Sequence, residues 1–386
     1  MFGRRWHLFR LAGIPIRADA SWLIVFALVT VILAENFHKL IGQFYPGATS
    51  GLVKVDYWVM GLIACLLFFV SIVLHELGHA LVARSRGIPI KGITLFVFGG
   101  VSELGDEPPT PASEFEMAVA GPAVSLVLGV ILVVLARIGL HQSWPHPVVI
   151  VMAYLGEMNL FLGVFNLIPG FPLDGGRVFR SIVWWITGSL KRATRWAATS
   201  GQFFSWLFIA YGIFVLFQGN WGGLWTILIG MFLNSAAKQS YQQVITRQLL
   251  QGEPVRRFMN IEPIVVPPDL DLRHWVEDYV YRYHRKLFPV GTNGHLEGVI
   301  GTQVLASYPR EEWPQHTVRE AMRGDIRPIS ISPDSDALEA FSKMQQTGSS
   351  RLLVTEGDQL VGIVSLKDLL RFLHLKLQLE TGREED

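Results

Sequence analysis

Two histidines and a glutamate lie within five consecutive residues near the end of a long apolar segment. The sequence His75-Glu76-Leu-Gly-His79 spaces the two imidazoles four residues apart, so a helix would carry both on one face. Two such imidazoles can bind one Zn²⁺, and the glutamate between them can take a proton from a zinc-bound water. Ionisable side chains inside a membrane helix cost at least ~2.5 kcal/mol each, which favours a ligand-binding cluster over a chance match.

A third zinc ligand has to come from elsewhere in the chain, because catalytic zinc usually has three protein ligands and one open position. The single cysteine, Cys65, excludes a disulfide framework and an all-cysteine zinc site. Asp174 is the best candidate, since it ends the segment Asn166-Leu-Ile-Pro-Gly-Phe-Pro-Leu-Asp174, in which two prolines break the helical pattern. Irregular backbone at membrane depth must be buried in protein or line a wet cavity. For this segment alone, a surface loop with a capping aspartate is the alternative.

The composition predicts that these residues are held by membrane helices. Of the 386 residues, 50% are hydrophobic and 17% are charged, against roughly 25% charged in soluble domains. Lys and Arg (33) nearly balance Asp and Glu (32), so no basic field indicates a nucleic-acid partner. We predict a transmembrane domain over residues 1–240 with about six transmembrane helices in contact with the lipid bilayer. The apolar segments are 20–34, 57–82, 117–140, 148–168, 197–217 and 224–237.

The distribution of basic residues predicts the orientation in the membrane. Lys and Arg collect before the first apolar segment, after the second and after the fourth. By the positive-inside rule, we expect a multi-pass protein of the cell membrane with both termini in the cytoplasm. If Arg84 marks the cytoplasmic interface, the helical rise puts the two histidines roughly 7 to 14 Å inside that leaflet. Residues 177–196 fit either an amphipathic helix on the membrane surface or a basic loop.

The two motifs together resemble the site-2 protease family of intramembrane zinc metalloproteases, over about residues 13–237. The resemblance implies that Glu76 is the catalytic acid/base and that Asn166 contacts the substrate backbone or the developing oxyanion. It implies a transmembrane protein as substrate, cut near the cytoplasmic end of its membrane segment. It further implies one zinc ion per chain, bound by His75, His79 and Asp174.

One position of the third apolar segment departs from that family. The segment carries Gly121-Pro-Ala-Val-Ser125, and family members often have asparagine where this chain has Ser125. A substrate-binding role for Ser125 is therefore in doubt. We interpret Ser125, with Gly121, as a pair of small residues that permits close helix packing.

Residues 93–103 interrupt the helical pattern between the second and third apolar segments. Their alternation and the glycine pair Gly99-Gly100 predict a small β-hairpin. An exposed edge of this hairpin could hold an extended substrate by strand addition. The alternative is a hairpin that only covers the site.

The soluble tail repeats itself at a period of 63 to 65 residues. We place a linker at 241–253, a tandem module at 254–376 with repeats 254–310 and 315–376, and a terminal tail at 377–386. Each repeat is predicted as strand, helix, strand, strand, helix, and the pairing resembles a tandem CBS module. The resemblance implies that Ser365 and Asp368 hold the ribose of an adenine nucleotide, whereas the first repeat has Gly301 and Val304 there. The matching segments are Phe258-Met259 with Ala321-Met322, Pro268-Asp269 with Pro333-Asp334, and Gly298-Val-Ile with Gly362-Ile-Val.

Three readings of the whole chain remain open. The fold class is a multi-pass α-helical membrane domain with a small β-hairpin, followed by an α/β tandem CBS domain, and the leading function is intramembrane proteolysis. The tail would bind nucleotide, or it would be a purely structural or dimerising module. The alternatives are a CBS-linked metal-ion transporter and an inactive relative that binds membrane proteins. Glu76 favours the protease, since transport does not need a glutamate between two zinc-spaced histidines.

Overall fold

The computed structural model describes residues 5–44, 53–96, 99–104, 108–292, 295–357 and 359–381. These residues form two compact units, Met1–Gln242 and Gln243–Asp386. The first unit consists of seven helices and one sheet among its described residues. Its strands are β1 (Arg5–Leu11), β2 (Ile14–Asp19), β3 (Ile90–Phe96) and β4 (Gly99–Leu104). Its helices are α1 (Ala20–Phe44), α2 (Lys54–Ser85), α3 (Pro111–His141), α4 (His146–Asn166), α5 (Asp174–Thr187), α6 (Leu190–Phe217) and α7 (Gly222–Leu250).

Five of these helices, α1, α2, α3, α4 and α6, are long and apolar enough to cross a membrane. They contain four of the first five predicted segments, and α4 contains the remaining one, 148–168, except for its last two residues. The sixth, 224–237, lies in α7, which does not reach the same hydropathy, because it continues into the polar sequence from Lys238 to Arg247. Five candidate spans are therefore present in the described part of the chain, and a sixth crossing is not confirmed. Residues 241–250 of the predicted linker also belong to α7.

The helix α2 is central to the first unit, because it packs against α1, α3 and α4. Its buried side includes small residues such as Ala64 and Ala80, which allow the neighbouring helices to approach closely. The helix α3 in turn contacts α4 and α5. This arrangement places the His75-to-His79 face of α2 between other helices and away from lipid.

The predicted hairpin is part of a larger sheet than the sequence indicated. β3 and β4 pair antiparallel, as predicted, but β2 pairs with β3 in parallel and β1 pairs with β2 antiparallel, so the order is β1-β2-β3-β4. The segment before α1, for which the sequence predicted no strand, supplies two strands. Within the described sheet, β4 is an edge strand. Val97 and Phe98, between β3 and β4, lie outside the described residues.

Residues 177–196 are two helices rather than one amphipathic helix or a loop. α5 ends at Gly188, whose φ of +64° is left-handed, a conformation that glycine adopts without strain. Ser189 then caps α6 by accepting a hydrogen bond from the Arg192 amide. This sharp turn separates the buried Arg180 from the basic residues that begin α6.

The second unit carries a five-stranded sheet of order β5-β6-β9-β8-β7. Its strands are β5 (Leu287–Thr292), β6 (His295–Gly301), β7 (Ser330–Ile331), β8 (Arg351–Glu356) and β9 (Gln359–Ser365). Its α-helices are α8 (Leu272–His274), α9 (Tyr281–Tyr283), α10 (Val318–Ala321), α11 (Ala337–Thr347) and α12 (Leu366–Thr381), with a π-helix, Trp275–Val280, that joins α8 to α9. Short 3₁₀ helices cover Val255–Arg257, Thr302–Ser307, Arg310–Gln315 and Arg327–Ile329.

Backbone hydrogen bonds within this unit follow the sequence repeat. Asn260 and Ile363 exchange two backbone hydrogen bonds, and so do Arg323 and Val299. Each repeat is therefore connected to the other by the same kind of bridge. The second repeat has the predicted order of elements. The first differs, since its initial strand is reduced to a bridge at Val266 and its last helix is a 3₁₀ helix. α12 extends to Thr381, so the predicted tail begins inside a helix.

Candidate metal centre

Three side chains predicted as zinc ligands meet at one point. His75 Nε2 lies 3.0 Å and His79 Nε2 lies 3.1 Å from Asp174 Oδ2, and the two imidazole nitrogens are 3.2 Å apart. Both histidines are buried, and the aspartate side chain is 17% exposed. Two imidazole nitrogens and one carboxylate oxygen therefore converge from two helices, α2 and α5. Nitrogen and carboxylate donors in a set of three are typical of catalytic zinc.

A glycine of α3 leaves the space beside these donors. A Cβ at Gly121 would lie 2.2 Å from His79 Nε2 and 2.7 Å from His75 Nε2, much closer than any carbon can approach. Because glycine has no side chain, the helix can pass this close to both nitrogens. The residues fit a zinc ion, because two imidazole nitrogens and one carboxylate oxygen lie within 3.2 Å of one another, and such a donor set is typical of catalytic zinc.

The outer nitrogens of both imidazoles are fixed by α3. His79 Nδ1 donates to the Met117 carbonyl oxygen at 2.7 Å, and because a carbonyl only accepts, Nε2 keeps its lone pair for a metal. His75 Nδ1 lies 2.9 Å from the Ser125 hydroxyl, which can accept in the same way. Ser125 is fully buried, so it contacts a predicted zinc ligand in addition to permitting close packing. The interpretation of Ser125 as a packing residue alone was incomplete.

Asp174 is the first residue of α5, and the glycines after it allow a tight chain crossing. A Cβ at Gly175 would lie 2.3 Å from the Leu167 backbone, and one at Gly176 would lie 2.4 Å from the Gly170 backbone. The irregular segment between α4 and α5 thus folds back onto the start of α5. This crossing explains why the carboxylate at the end of the proline-rich segment reaches α2.

A buried ion pair, which the sequence analysis missed, holds α5 against α3. Arg180 Nε donates to Glu114 Oε1 at 2.6 Å, and the exposed fractions of the two residues are 6% and 0%. The Arg180 guanidinium also lies 5.2 Å from the centre of the Phe171 ring. From sequence, Arg180 was one of several basic residues on the cytoplasmic side. An acidic residue one turn into an apolar helix, as Glu114 is, was the available signal of a buried partner.

Glu76 contacts the sheet. Ser102 of β4 donates its hydroxyl proton to Glu76 Oε2 at 2.7 Å. A Cβ at Gly100 would lie 2.7 Å from Glu76 Cγ, so the same strand runs directly along the glutamate side chain. The residue pattern predicted the hairpin but neither of these contacts.

Asn166, the last residue of α4, is not hydrogen-bonded to this cluster. Its amide nitrogen donates to the Leu162 carbonyl at 3.0 Å within its own helix, and the residue is half-buried. A half-buried amide at a helix end can turn toward a substrate. Its predicted substrate contact stays a prediction.

The two residues predicted to bind nucleotide are in contact with each other at the start of α12. The Ser365 hydroxyl donates to the Asp368 carboxylate, and the Asp368 amide donates to Ser365 Oγ at 3.3 Å. This pattern caps the helix, which is a structural role that needs no ligand. Burial and the like charge of Arg285 lower the pKa of Arg351, while Asp368 acts in the opposite direction, so Arg351 lies within electrostatic range of Asp368.

Comparisons with known proteins agree with both halves of this description. The sequence model of Peptidase family M50 matches residues 63–142 and 137–209, which contain the three residues of the cluster and Glu76, and the CBS domain model matches residues 318–375. The chain is 31% identical to the zinc metalloprotease MJ0392 of Methanocaldococcus jannaschii, over 97% of this chain and 98% of the relative. It is 35% identical to sll0528 of Synechocystis, whose name also contains zinc metalloprotease, over 94% of each.

One solved structure among those found is a site-2 protease from Methanocaldococcus jannaschii. It is 28% identical to this chain with a TM-score of 0.42, and the similarity covers 62% of this chain and 95% of that one.

Proposed function

The chain belongs to peptidase family M50, the site-2 type of zinc metalloprotease, and from this premise we propose that it cuts membrane proteins within or near a transmembrane segment. The observation that carries the proposal is the convergence of His75, His79 and Asp174 beside Glu76, inside a group of apolar helices. A buried site of this kind reaches only peptide bonds that lie at membrane depth. Lipid and a membrane-protein substrate are therefore its partners.

The residues divide the chemistry between binding and proton transfer. His75 and His79 through Nε2, with Asp174 through Oδ2, would hold one zinc ion. Zinc bound there would lower the pKa of a water molecule and polarise the substrate carbonyl. Glu76 accepts the proton of the attacking water at its carboxylate and then gives it to the leaving amine nitrogen. The Met117 carbonyl keeps His79 in the tautomer that presents Nε2, and the Ser125 hydroxyl can accept from His75 Nδ1 so that His75 presents Nε2 in the same way.

The substrate must be locally unwound, because a peptide bond inside a helix is shielded from attack. β4 is the edge of the described sheet and contacts Glu76, which supports the idea that an extended substrate pairs with it. Asn166 would contact the backbone of that segment. The alternative, a sheet that only covers the site, predicts that proline substitutions in the substrate near the cut leave cleavage unchanged, since no strand pairing is lost.

The proposed location follows from the distribution of charge. In this proposal both termini and the tandem CBS module lie in the cytoplasm, which requires α7 to cross the membrane as a sixth span in addition to the five candidate spans, and the zinc site lies in the cytoplasmic leaflet. An adenine nucleotide at Ser365 and Asp368 would regulate cleavage by favouring one state of the enzyme, since a ligand with equal affinity for two states shifts neither. The alternative for the tail is a module that forms a homodimer without binding nucleotide.

The decisive experiment compares two variants of the purified full-length protein. Glu76→Gln keeps the shape of the side chain but loses the base, so cleavage of a model transmembrane substrate is expected to fall by about 10²- to 10⁴-fold or below detection. Zinc content is expected to stay near one per chain. His75→Ala, the matched control, removes a ligand and is expected to lower zinc content and activity together.

Two results would contradict the proposal. Wild-type turnover by Glu76→Gln would remove Glu76 from the mechanism. A wild-type chain that holds zinc and binds membrane proteins without cutting any of them would identify it as an inactive relative.

A further inference from the structure

The hydroxyl of Ser102 has two acceptors on Glu76. Its Oγ lies 2.7 Å from Oε2 of the carboxylate and 3.3 Å from the backbone carbonyl oxygen. A hydroxyl has a single proton, so it donates to one acceptor at a time, and the shorter contact is the hydrogen bond. A hydrogen bond to an ionised carboxylate is roughly twice as strong as one between neutral groups. Ser102 is therefore a firm contact of the Glu76 carboxylate.

The sheet fixes where this hydroxyl lies. Ser102 is opposite Ile93 in the β3–β4 register, and Gly100 is opposite Leu95, and both partners in β3 are buried. Gly100 and Ser102 are two residues apart and thus share one face of β4. That face lies against Glu76, because a Cβ at Gly100 would come within 2.7 Å of Glu76 Cγ. The donor is held by a paired strand, whereas the glutamate carboxylate ends a side chain with three rotatable bonds.

We propose that Ser102 is a positioning residue that holds Glu76 in the orientation needed for proton transfer. The inference rests on the proposed role of Glu76 as the catalytic base. The hydroxyl occupies Oε2 and leaves the other carboxylate oxygen to accept the proton of the attacking water. Ser102 acts through Glu76 and needs no contact with zinc or with substrate. A side-chain displacement of about 1 Å in an active site can cost 10²-fold in rate, so a fixed carboxylate matters.

The neighbouring strand supplies a matched control. Thr94 of β3 is also a hydroxyl residue of the sheet, but its Oγ1 donates to Glu103 Oε1 at 3.0 Å and not to Glu76. Thr94→Val therefore removes one hydroxyl hydrogen bond from the same sheet without changing any contact of Glu76. Ser102→Ala removes the proposed contact, and Ser102→Thr keeps a hydroxyl at the same position.

The test measures kcat, KM and zinc content of the full-length wild type and these variants with a model transmembrane substrate. Ser102→Ala is expected to lower kcat by about 10- to 100-fold, the equivalent of one hydrogen bond to a charged group. KM and zinc content are expected to stay at wild-type values, because neither substrate nor ligand contacts are lost. Ser102→Thr is expected to recover most of kcat, and Thr94→Val to keep it.

Three outcomes would overturn the positioning role. These are a wild-type kcat in Ser102→Ala, an equal loss in Ser102→Ala and Ser102→Thr, and a raised KM with unchanged kcat. Glu76→Gln, measured alongside, separates this failure from that of the proposed function. If Glu76→Gln is inactive while Ser102→Ala is fully active, only the positioning role fails, whereas an active Glu76→Gln refutes both.

Discussion

The closest approach of α3 to the metal centre gives the sharpest prediction, for Gly121→Ala. The new Cβ would lie 2.2 Å from His79 Nε2, whereas ordinary van der Waals contact begins at about 3.4 Å. The imidazole would have to withdraw by about 1.2 Å, the difference between these two distances. Zinc–ligand distances tolerate only about 0.2 Å, and His79 is held from behind by the Met117 carbonyl. One added methyl group should therefore disassemble the site without removing any ligand.

The expected result is a zinc content well below one per chain and a loss of cleavage of at least about 100-fold. Zinc is measured by elemental analysis of the full-length protein after dialysis against a chelator, and cleavage with a model transmembrane substrate. Gly129→Ala, about two turns further along α3, is the control, since its Cβ would crowd Leu160 at 2.8 Å and no histidine. Overpacking costs about 1 to 3 kcal/mol in either variant, but only Gly121→Ala should lose zinc. Full zinc retention by Gly121→Ala would refute the reasoning.

Three further predictions concern stability, regulation and orientation. Arg180→Met breaks the buried ion pair with Glu114, so thermal unfolding should occur at lower temperature, with a loss of about 3 to 5 kcal/mol. Arg177→Met on the same helix should not have this effect, and equal melting of the two variants would contradict the prediction. Asp368→Ala should weaken ATP or AMP binding to the full-length protein by about 10- to 100-fold, as measured by calorimetry. If the wild type gives no binding heat at millimolar nucleotide, Ser365 and Asp368 serve only to cap α12. A reporter fused after Asp386 should behave as cytosolic, and a signal from the opposite side would overturn the proposed orientation.

The features that the sequence predicted well are those that local pattern determines. A run of about 20 apolar residues predicts a long helix regardless of its neighbours. α2 and α3 contain their predicted segments, and α4 ends two residues before the end of its predicted segment. The spacing of His75 and His79 fixes their common helical face. The alternation around Gly99 predicted the pairing of β3 with β4, because a hairpin closes over a few residues.

The features that it missed depend on which distant segments meet. β2 pairs in parallel with β3 across the whole of α1 and α2, and parallel pairing over such a separation leaves no local signal. Arg180 looked like any basic residue near a membrane surface until Glu114 was found against it. Ser102 looked like an ordinary strand residue, since nothing in its neighbourhood in sequence shows that β4 lies against α2.

One face of α3 connects these missed contacts. Glu114, Met117, Gly121 and Ser125 are spaced by three, four and four residues, so they lie along a single helical face. Glu114 pairs with Arg180 of α5, and the Met117 carbonyl orients His79. Gly121 leaves room for both imidazoles, and Ser125 contacts His75. α3 supplies none of the three donors, yet each donor depends on a contact with it. Because the four residues differ in type, no motif of metal ligands could have revealed them. All four contacts depend on how far α3 lies from α2 and α5. A change that shifts α3 should therefore weaken zinc binding even where every ligand is intact.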